Sequence, residues 1–355
     1  MEEIPLHKET DFLDNLFQGT GAFFASPEND DIILAYGGEI HDCLQEEADI
    51  PPNVFYFTTF YNKKIHLYDP LNILRIKREV LKKSLVKYEL VQNTLSLSTN
   101  YDLFFVDDFE AFRNTSDGEL KKVVLCSRED FSVPENKTQK LRTLWRSLLV
   151  PNSYAYGIWT ENYGLIGATP ELLFEVQDDK LQTFALAGTA KSENAEQLMK
   201  SEKDLLEHKF VVDDIYEKIV GLNYSPLVGK TGLASYGRMV HLKTPLSVQR
   251  VGNYKLSSFV SKLSPTAALS GYPSDLSLKT LSQNRYGQKF PDRIFGGCFG
   301  FSGNEQKCVV MIRNVQWDEN LFFIESGAGI IHSSVLDKEL SEIQFKRQVV
   351  RELLV

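Results

Sequence analysis

The stretch YAYGIWTENYGLIGATPELLFEVQDDKLQTFALA, running from Tyr154 to Ala187, decides how this chain folds. It holds three apolar runs, Tyr156 to Thr160, Glu171 to Val176 and Leu181 to Leu186. Asn162-Tyr-Gly164 and Asp178-Asp179 supply the turns between them. Short runs rich in aromatic and β-branched residues, bounded by turn formers, read as consecutive antiparallel strands. Toward the N-terminus the pattern repeats at Ile32 to Tyr36, Val54 to Thr58 and Lys64 to Tyr68. Asn72 to Val91 and Leu141 to Leu149 read as helices, with a strand from Lys122 to Cys126 between them. Downstream, Ala195 to Val220 carries Leu198, Leu205, Val211, Val212, Ile215 and Ile219 at helical spacing. Two more helices, Leu256 to Leu263 and Asp275 to Gln283, precede strands at Phe295 to Gly300, Lys307 to Arg313 and Leu321 to Glu325. Strand runs with helices inserted, and no regular βαβ alternation, predict an α+β fold: a layered sandwich of mainly antiparallel sheets with helices. No Pro/Gly/Ser linker divides the chain, so residues 1–355 are read as one large domain.

Composition narrows the function. The 355 residues carry a net charge of −9, and no lysine/arginine run offsets it, which argues against nucleic acid as a partner. No run of about 18 apolar residues is present to span a bilayer. Met1 to His7 lacks the basic and apolar regions of a signal peptide, so a cytoplasmic location is expected. Cys43, Cys126, Cys298 and Cys308 are scattered without CxxC spacing and read as reduced thiols.

The C-terminal end carries the first chemical signal. Glu325-Ser-Gly-Ala-Gly-Ile-Ile-His332 reads as a glycine turn before a helix bearing Glu339, Glu342 and Lys346. In α-helical geometry those three lie within roughly 60° of one another. Leu336, Leu340, Ile343 and Val350 share nearly the same arc. Acids beside a buried stripe need a cation or hydrogen-bond donors, and a divalent metal would serve. Other charges fall on elements whose neighbours predict burial: Lys122 on an apolar strand, Glu171 after Gly-Ala-Thr-Pro, and Asp204 with Glu207 on the long helix. Each alone reads more simply as a solvated surface charge. The glycines lack the further glycines or Gly-Lys-Ser/Thr of a phosphate loop.

In order along the chain, these pieces resemble the chorismate-binding enzymes. The matching text is Lys122-Val-Val-Leu, Ala168-Thr-Pro-Glu-Leu-Leu-Phe174, Leu186-Ala-Gly-Thr-Ala190, Ser201 to His208 and His241-Leu-Lys-Thr-Pro245. It continues with Ser264 to Pro273, Phe295-Gly-Gly297, Ile312-Arg313, Gly327-Ala-Gly-Ile330 and Glu339-x-x-Glu342-x-x-x-Lys346. The resemblance covers residues 108–355 as a family core, with 1–107 as a variable N-terminal part, and implies the fold of anthranilate synthase component I. It implies a Mg2+ ion held by Glu207, Glu339 and Glu342, with Asp204 nearby. It also implies chorismate as substrate, its carboxylates held by Arg313, Lys346 and the amides of Gly327 and Gly329. Thr189, His241, Ala268, Leu269 and Phe295 fall where relatives line the pocket.

The branch of chemistry follows from a few positions. Relatives that add ammonia usually carry glutamine at the place of Lys122 and an Arg-Asn-Asp motif where this chain reads Val211-Val-Asp-Asp-Ile215. Lysine suits a general base for water, if its reference pKa of about 10.4 is brought down. Glu171 suits the general acid for the departing hydroxyl. The resemblance therefore implies an isochorismate synthase, serving menaquinone or catechol siderophore synthesis, acting as a monomer without an amidotransferase partner. The alternatives are a salicylate synthase or an aminating relative of the anthranilate or aminodeoxychorismate synthase kind, and salicylate synthases tend to carry Thr and Tyr where this chain has Ala268 and Phe295. Ser264 departs from the His common before Pro-Thr. A catalytically silent scaffold would have lost such residues, and none is lost.

Overall fold

A computed structural model describes residues 17–43, 49–61, 64–86, 95–114, 118–150, 152–237 and 239–354. Two antiparallel sheets face each other, each of ten strands among the described residues: nine along a path, with Leu97–Asn100 pairing Lys122–Ser132 off the first path and Gly232–Tyr236 pairing Met239–Val248 off the second. The first runs in the order Gly271–Tyr272, Lys122–Ser132, Leu321–Ile330, Asn314–Trp317, Gly164–Thr169, Tyr154–Trp159, Gly21–Ala25, Asp31–Tyr36 and Asn72–Lys77. The second runs Leu227–Val228, Met239–Val248, Lys180–Lys191, Leu172–Gln177, Gln306–Val310, Cys298–Ser302, Phe55–Thr58, Ile65–Asp69 and Glu39–Cys43. This is the expected α+β sandwich.

Strand alternation sorts the side chains between layers. Ala22 and Phe24 enter the core between the sheets with Tyr156, Leu165, Phe299 and Val309. Phe23 and Ala25, on the opposite face, pack against Leu141, Leu144 and Trp145 of helix Lys137–Leu148. Because both faces are covered, every residue of Gly21–Ala25 is buried. Helix Glu202–Val220 starts at Ser201, whose side chain accepts from the Asp204 amide. Val211, Ile215 and Ile219 carry it onto Leu173, Ala185 and Phe259.

The decisive stretch holds a strand that its sequence reading omitted. Gly164–Thr169 pairs with Tyr154–Trp159, and only after Pro170 does the chain enter Leu172–Gln177 of the other sheet. The neighbouring pair does the same in reverse: Gln306–Val310 belongs to the second sheet and Asn314–Trp317 to the first. Two adjacent strands therefore change sheets side by side. Their crossings are tied by Val310 N to Glu171 O (3.0 Å) and Ala168 N to Arg313 O (3.3 Å).

Three further expectations are corrected. Residues Asn72–Lys77 form an edge strand on Asp31–Tyr36, and the helix begins only at Arg78. Pairing and the β-branched Ile73 and Ile76 override the helical spacing there. The remainder of that span, 87–91, lies outside the described residues. The long helix is interrupted, Ala195–Leu198 being separate from Glu202–Val220. Finally, Gly327-Ala-Gly329 is no turn: it lies inside strand Leu321–Ile330, paired with Val124 to Cys126. The turn comes after it, before helix Leu336–Arg351. Cys126, Cys298 and Cys308 are buried free thiols, while the Cys43 side chain lies outside the described residues.

Candidate active site

A pocket enclosing about 770 Å³ of empty space, part of it open to solvent, lies where the two sheet crossings meet the helices Glu202–Val220 and Leu336–Arg351. Its lining includes Glu171, Thr189, Glu207, His241, Ala268, Leu269, Phe295, Arg313, Gly327, Gly329, Glu342 and Lys346. Twelve residues singled out from sequence thus converge on one space. Lys122 stands directly behind this wall, and Glu339 lies outside it.

Glu171 occupies the first crossing. Its amide donates to Thr169 Oγ1 (3.1 Å), and its carboxyl accepts from Thr266 Oγ1 (3.3 Å). Burial pushes its pKa up to about 7, against the lowering pull of Thr266, Lys122, Lys346 and Arg313. A carboxyl in that state holds a proton near neutrality and can donate it.

Arg313 occupies the second crossing with a left-handed backbone, φ 56°. That conformation is disfavoured for a side chain with a Cβ, and at such sites it serves to aim a group. Its guanidinium reaches Met239 Sδ through Nη2 at 3.3 Å, whereas Nη1 is buried without a partner. Burial lowers its pKa to about 10, so it stays charged at neutral pH. An unpaired, desolvated guanidinium is a carboxylate-binding group.

His241 pairs through Nδ1 with Thr189 Oγ1 at 3.0 Å, and its Nε2 is buried without a partner. Burial, with Arg313 and Lys346 adding to it, lowers its pKa to about 3. The ring is therefore neutral and offers a hydrogen bond, not a charge. Ala268, Leu269 and Phe295 form the apolar side. The loop of Ala268 and Leu269 is anchored by Asp214, whose Oδ2 accepts from the Ala267 amide at 2.8 Å and from Lys218 at 2.9 Å.

The acids meet lysines from different elements. Lys122, fully buried, approaches Glu207 Oε1 at 3.1 Å. The donor geometry is poor and Nζ makes no aligned hydrogen bond, so the attraction is electrostatic. Gly329 makes this approach feasible, because a Cβ there would lie 2.0 Å from Glu207 Oε1 and 2.8 Å from Lys122 Cε. The glycine is needed for room, not for an unusual φ. Lys346 pairs with Glu342 Oε1 at 2.6 Å and donates to the Gly327 carbonyl at 2.8 Å. Burial opposes ionisation of Glu342, but Lys346, Lys203 and Arg313 outweigh it and hold its pKa low. Lys203 pairs with Glu339, whose pKa burial raises. Asp204 is likewise raised by burial, with Glu207 and Glu342 adding repulsion.

These four carboxylates, from two facing helices, are an all-oxygen donor set that suits a hard divalent cation with retained waters. Among the described residues no three potential donors already form a chelating cluster. Glu207 and Glu342 are the two that reach the cavity. Sequence reading overlooked Glu325, which lines the same cavity and is 3% exposed. The period-2 relation of Glu325, Gly327 and Gly329 on one strand would have disclosed it.

The model of a family described as chorismate binding enzyme matches residues 79–355. Among curated proteins, anthranilate synthase component 1 of Acetivibrio thermocellus is 25% identical over 333 residues, 85% of this chain and 64% of that protein. Isochorismate synthase MenF of Escherichia coli strain K12 is 26% identical over 257 residues, 69% of this chain and 58% of that protein. The matches thus span less than two-thirds of these relatives' lengths. Two solved structures share the fold over nearly the whole chain. One is MenF, described as the menaquinone-specific isochorismate synthase from Escherichia coli (TM-score 0.78, 21% identity, 99% of this chain and 93% of that one). The other is DhbC from Bacillus anthracis, described as a putative 2,3-dihydroxybenzoate-specific isochorismate synthase (TM-score 0.79, 23% identity, 98% and 99%). With more than half its length matched, this chain belongs to the chorismate-binding enzyme family.

Proposed function

We propose that the protein is an isochorismate synthase that adds water to one end of the chorismate diene and expels the ring hydroxyl from the other. The observation that carries this reading is the buried Glu171, whose pKa of about 7 keeps a proton available, facing a cavity backed by Lys122. Lys122 takes the proton of the attacking water, the double bonds shift, and Glu171 protonates the leaving hydroxyl. One water enters and one leaves, so the step balances. Arg313 and Lys346 hold the substrate's carboxylates, with the neutral His241 and Thr189 donating or accepting beside them. Ala268, Leu269 and Phe295 exclude bulk water on the apolar side.

Glu207 and Glu342 are the residues that would hold Mg2+, with Glu339 and Asp204 near them. When bound, the ion supplies positive charge that offsets these acids beside an anionic substrate. Lysine at position 122 favours water over ammonia as nucleophile, although anthranilate synthase relatives are also similar to this chain. The test is incubation with chorismate and Mg2+, with and without ammonia, followed by separation of products. Isochorismate alone is expected. Salicylate with pyruvate would move the assignment to a salicylate synthase, and turnover only with ammonia would move it to an aminating enzyme. For the product's use, the expected outcome is loss of menaquinone in a deletion strain. Loss of a catechol siderophore instead would reassign the pathway.

A further inference from the structure

Behind the cavity runs a buried polar chain that the mechanism above leaves unused. Tyr156 Oη donates to the Ile312 carbonyl at 2.8 Å and accepts from Asn314 Nδ2 at 2.9 Å. Gln316 Nε2 donates to Asn314 Oδ1 at 3.2 Å and to Glu325 Oε2 at 2.7 Å. Tyr286 Oη donates to the other carboxylate oxygen of Glu325. Tyr156, Asn314, Gln316, Glu325 and Tyr286 are each at most 3% exposed. Both hydrogens of the Gln316 amide are used, and the reversed amide would set its carbonyl against a carboxylate, so the direction of the chain is fixed.

The chain holds the backbone carbonyl of Ile312 on one side of Arg313 and the side chain of Asn314 on the other, where the strand leaves one sheet for the other. A left-handed arginine persists only where its surroundings over-determine it. Gly167 adds to the constraint, since a Cβ there would lie 2.7 Å from Asn314 Cβ. The far end of the chain is Glu325, a second cavity residue. We infer that Tyr156, Asn314, Gln316 and Glu325 are positioning residues that lock the Ile312–Arg313 crossing and so aim the Arg313 guanidinium at a substrate carboxylate. This rests on the reading of chorismate as substrate.

The test is Tyr156→Phe, which removes one hydroxyl and keeps the ring in the core. Chorismate affinity is measured by equilibrium dialysis, alongside kcat, KM and product identity. Loss of one buried hydrogen bond that aims a binding group is expected to raise Kd and KM about tenfold, with kcat within about threefold of wild type. In an Arg313→Ala background the same substitution should cost nothing further, because the group it aims is gone. Unchanged affinity in Tyr156→Phe overturns the inference, as does an equal loss in the Arg313→Ala background, which marks a purely structural role. Asn314→Ala, carried through the same cycle, decides the matter if Tyr156→Phe does not fold. A wild-type product other than isochorismate would overturn the proposed reaction while leaving the affinity cycle intact, so the two failures are separable.

Discussion

Replacing Gly329 by alanine tests the centre of the site with one methyl group. A Cβ at this position would lie 2.0 Å from Glu207 Oε1, 2.7 Å from Glu207 Cδ and 2.8 Å from Lys122 Cε. Carbon needs about 3.5 Å, so the carboxylate must retreat by about 1.5 Å. That opens the 3.1 Å contact with Lys122, whose side chain is fully buried. Overpacking of this kind costs about 1–3 kcal/mol, and the pair is displaced instead of deleted, so the larger penalty for an orphaned buried charge is not reached. In a chain of 355 residues that corresponds to a fall in Tm of about 1–4 °C, leaving a folded protein to assay. Activity should suffer more. A reacting group misplaced by about 1 Å costs on the order of 100-fold, so kcat/KM for chorismate should drop by about that factor. Gly232→Ala is the control, since a Cβ there meets nothing within 4 Å. Thermal melts and steady-state product formation on both variants decide the matter. If Gly329→Ala keeps wild-type Tm and kcat/KM within about threefold, the glycine does not hold Glu207 and Lys122 in register, and the reasoning fails.

Glu171 has its pKa raised to about 7, so its acid form prevails below that pH and is lost above it. The rate of the chemical step should therefore fall as pH rises through about 7, and a flat profile from about pH 6 to 9 would refute the acid role. His241, lowered to about 3, should add no ionisation near neutrality. Glu207→Gln and Glu342→Gln should each raise the Mg2+ concentration for half-maximal activity by about 10-fold or more, as lost ligand contacts do; an unchanged titration removes them from the metal site. Arg347 is fully buried on the closing helix, with Nη2 at 2.6 Å from Asp102 and Nε at 3.3 Å from Glu129. Arg347→Met leaves Asp102 with Ser127 and Gln344 and Glu129 with Arg351, so it should cost about 1.5–3 kcal/mol in denaturant unfolding, the worth of a hydrogen bond to a charged group, and a change below about 1 kcal/mol would mean those remaining partners suffice.

What the sequence disclosed followed from local periodicity and motif order. Antiparallel strands, the helices near 137–148, 256–263 and 274–283, and twelve of the residues lining the cavity were legible that way. Its omissions share a cause. Strand Gly164–Thr169 contains two glycines and lacks a strong apolar run, so only pairing on both edges defines it. The Gly327-Ala-Gly329 segment looked like a turn because glycine usually marks one; whether it supplies φ or merely room depends on a helix more than a hundred residues away. The i, i+3 spacing of Glu339 and Glu342 reads as one unit, yet Lys203 claims Glu339 and Lys346 claims Glu342. Side-chain pairing between elements leaves no trace in spacing. Nor did anything local reveal that Glu171 and Arg313 sit on neighbouring sheet crossings.

That last placement bears on how an acidic cavity accepts a dianion. Four carboxyl groups line it, Glu171, Glu207, Glu325 and Glu342. Each is already accounted for. Glu171 keeps its proton near neutrality, Glu207 faces Lys122, Glu342 is paired with Lys346, and Glu325 accepts from Tyr286 and Gln316. Lys346 is thus committed to Glu342 and to the Gly327 carbonyl, whereas Arg313 has a buried Nη1 with no partner among the described residues. A substrate carboxylate gains a full charge-assisted interaction from Arg313 and must compete with Glu342 for Lys346. Arg313→Gln should therefore raise KM for chorismate by about 10- to 100-fold, the value of a hydrogen bond to a charged group, and Lys346→Gln should raise it less. Should Lys346→Gln prove the more damaging for binding, the Glu342 pair must open on substrate entry, and the assignment of Arg313 as the primary anion anchor is wrong.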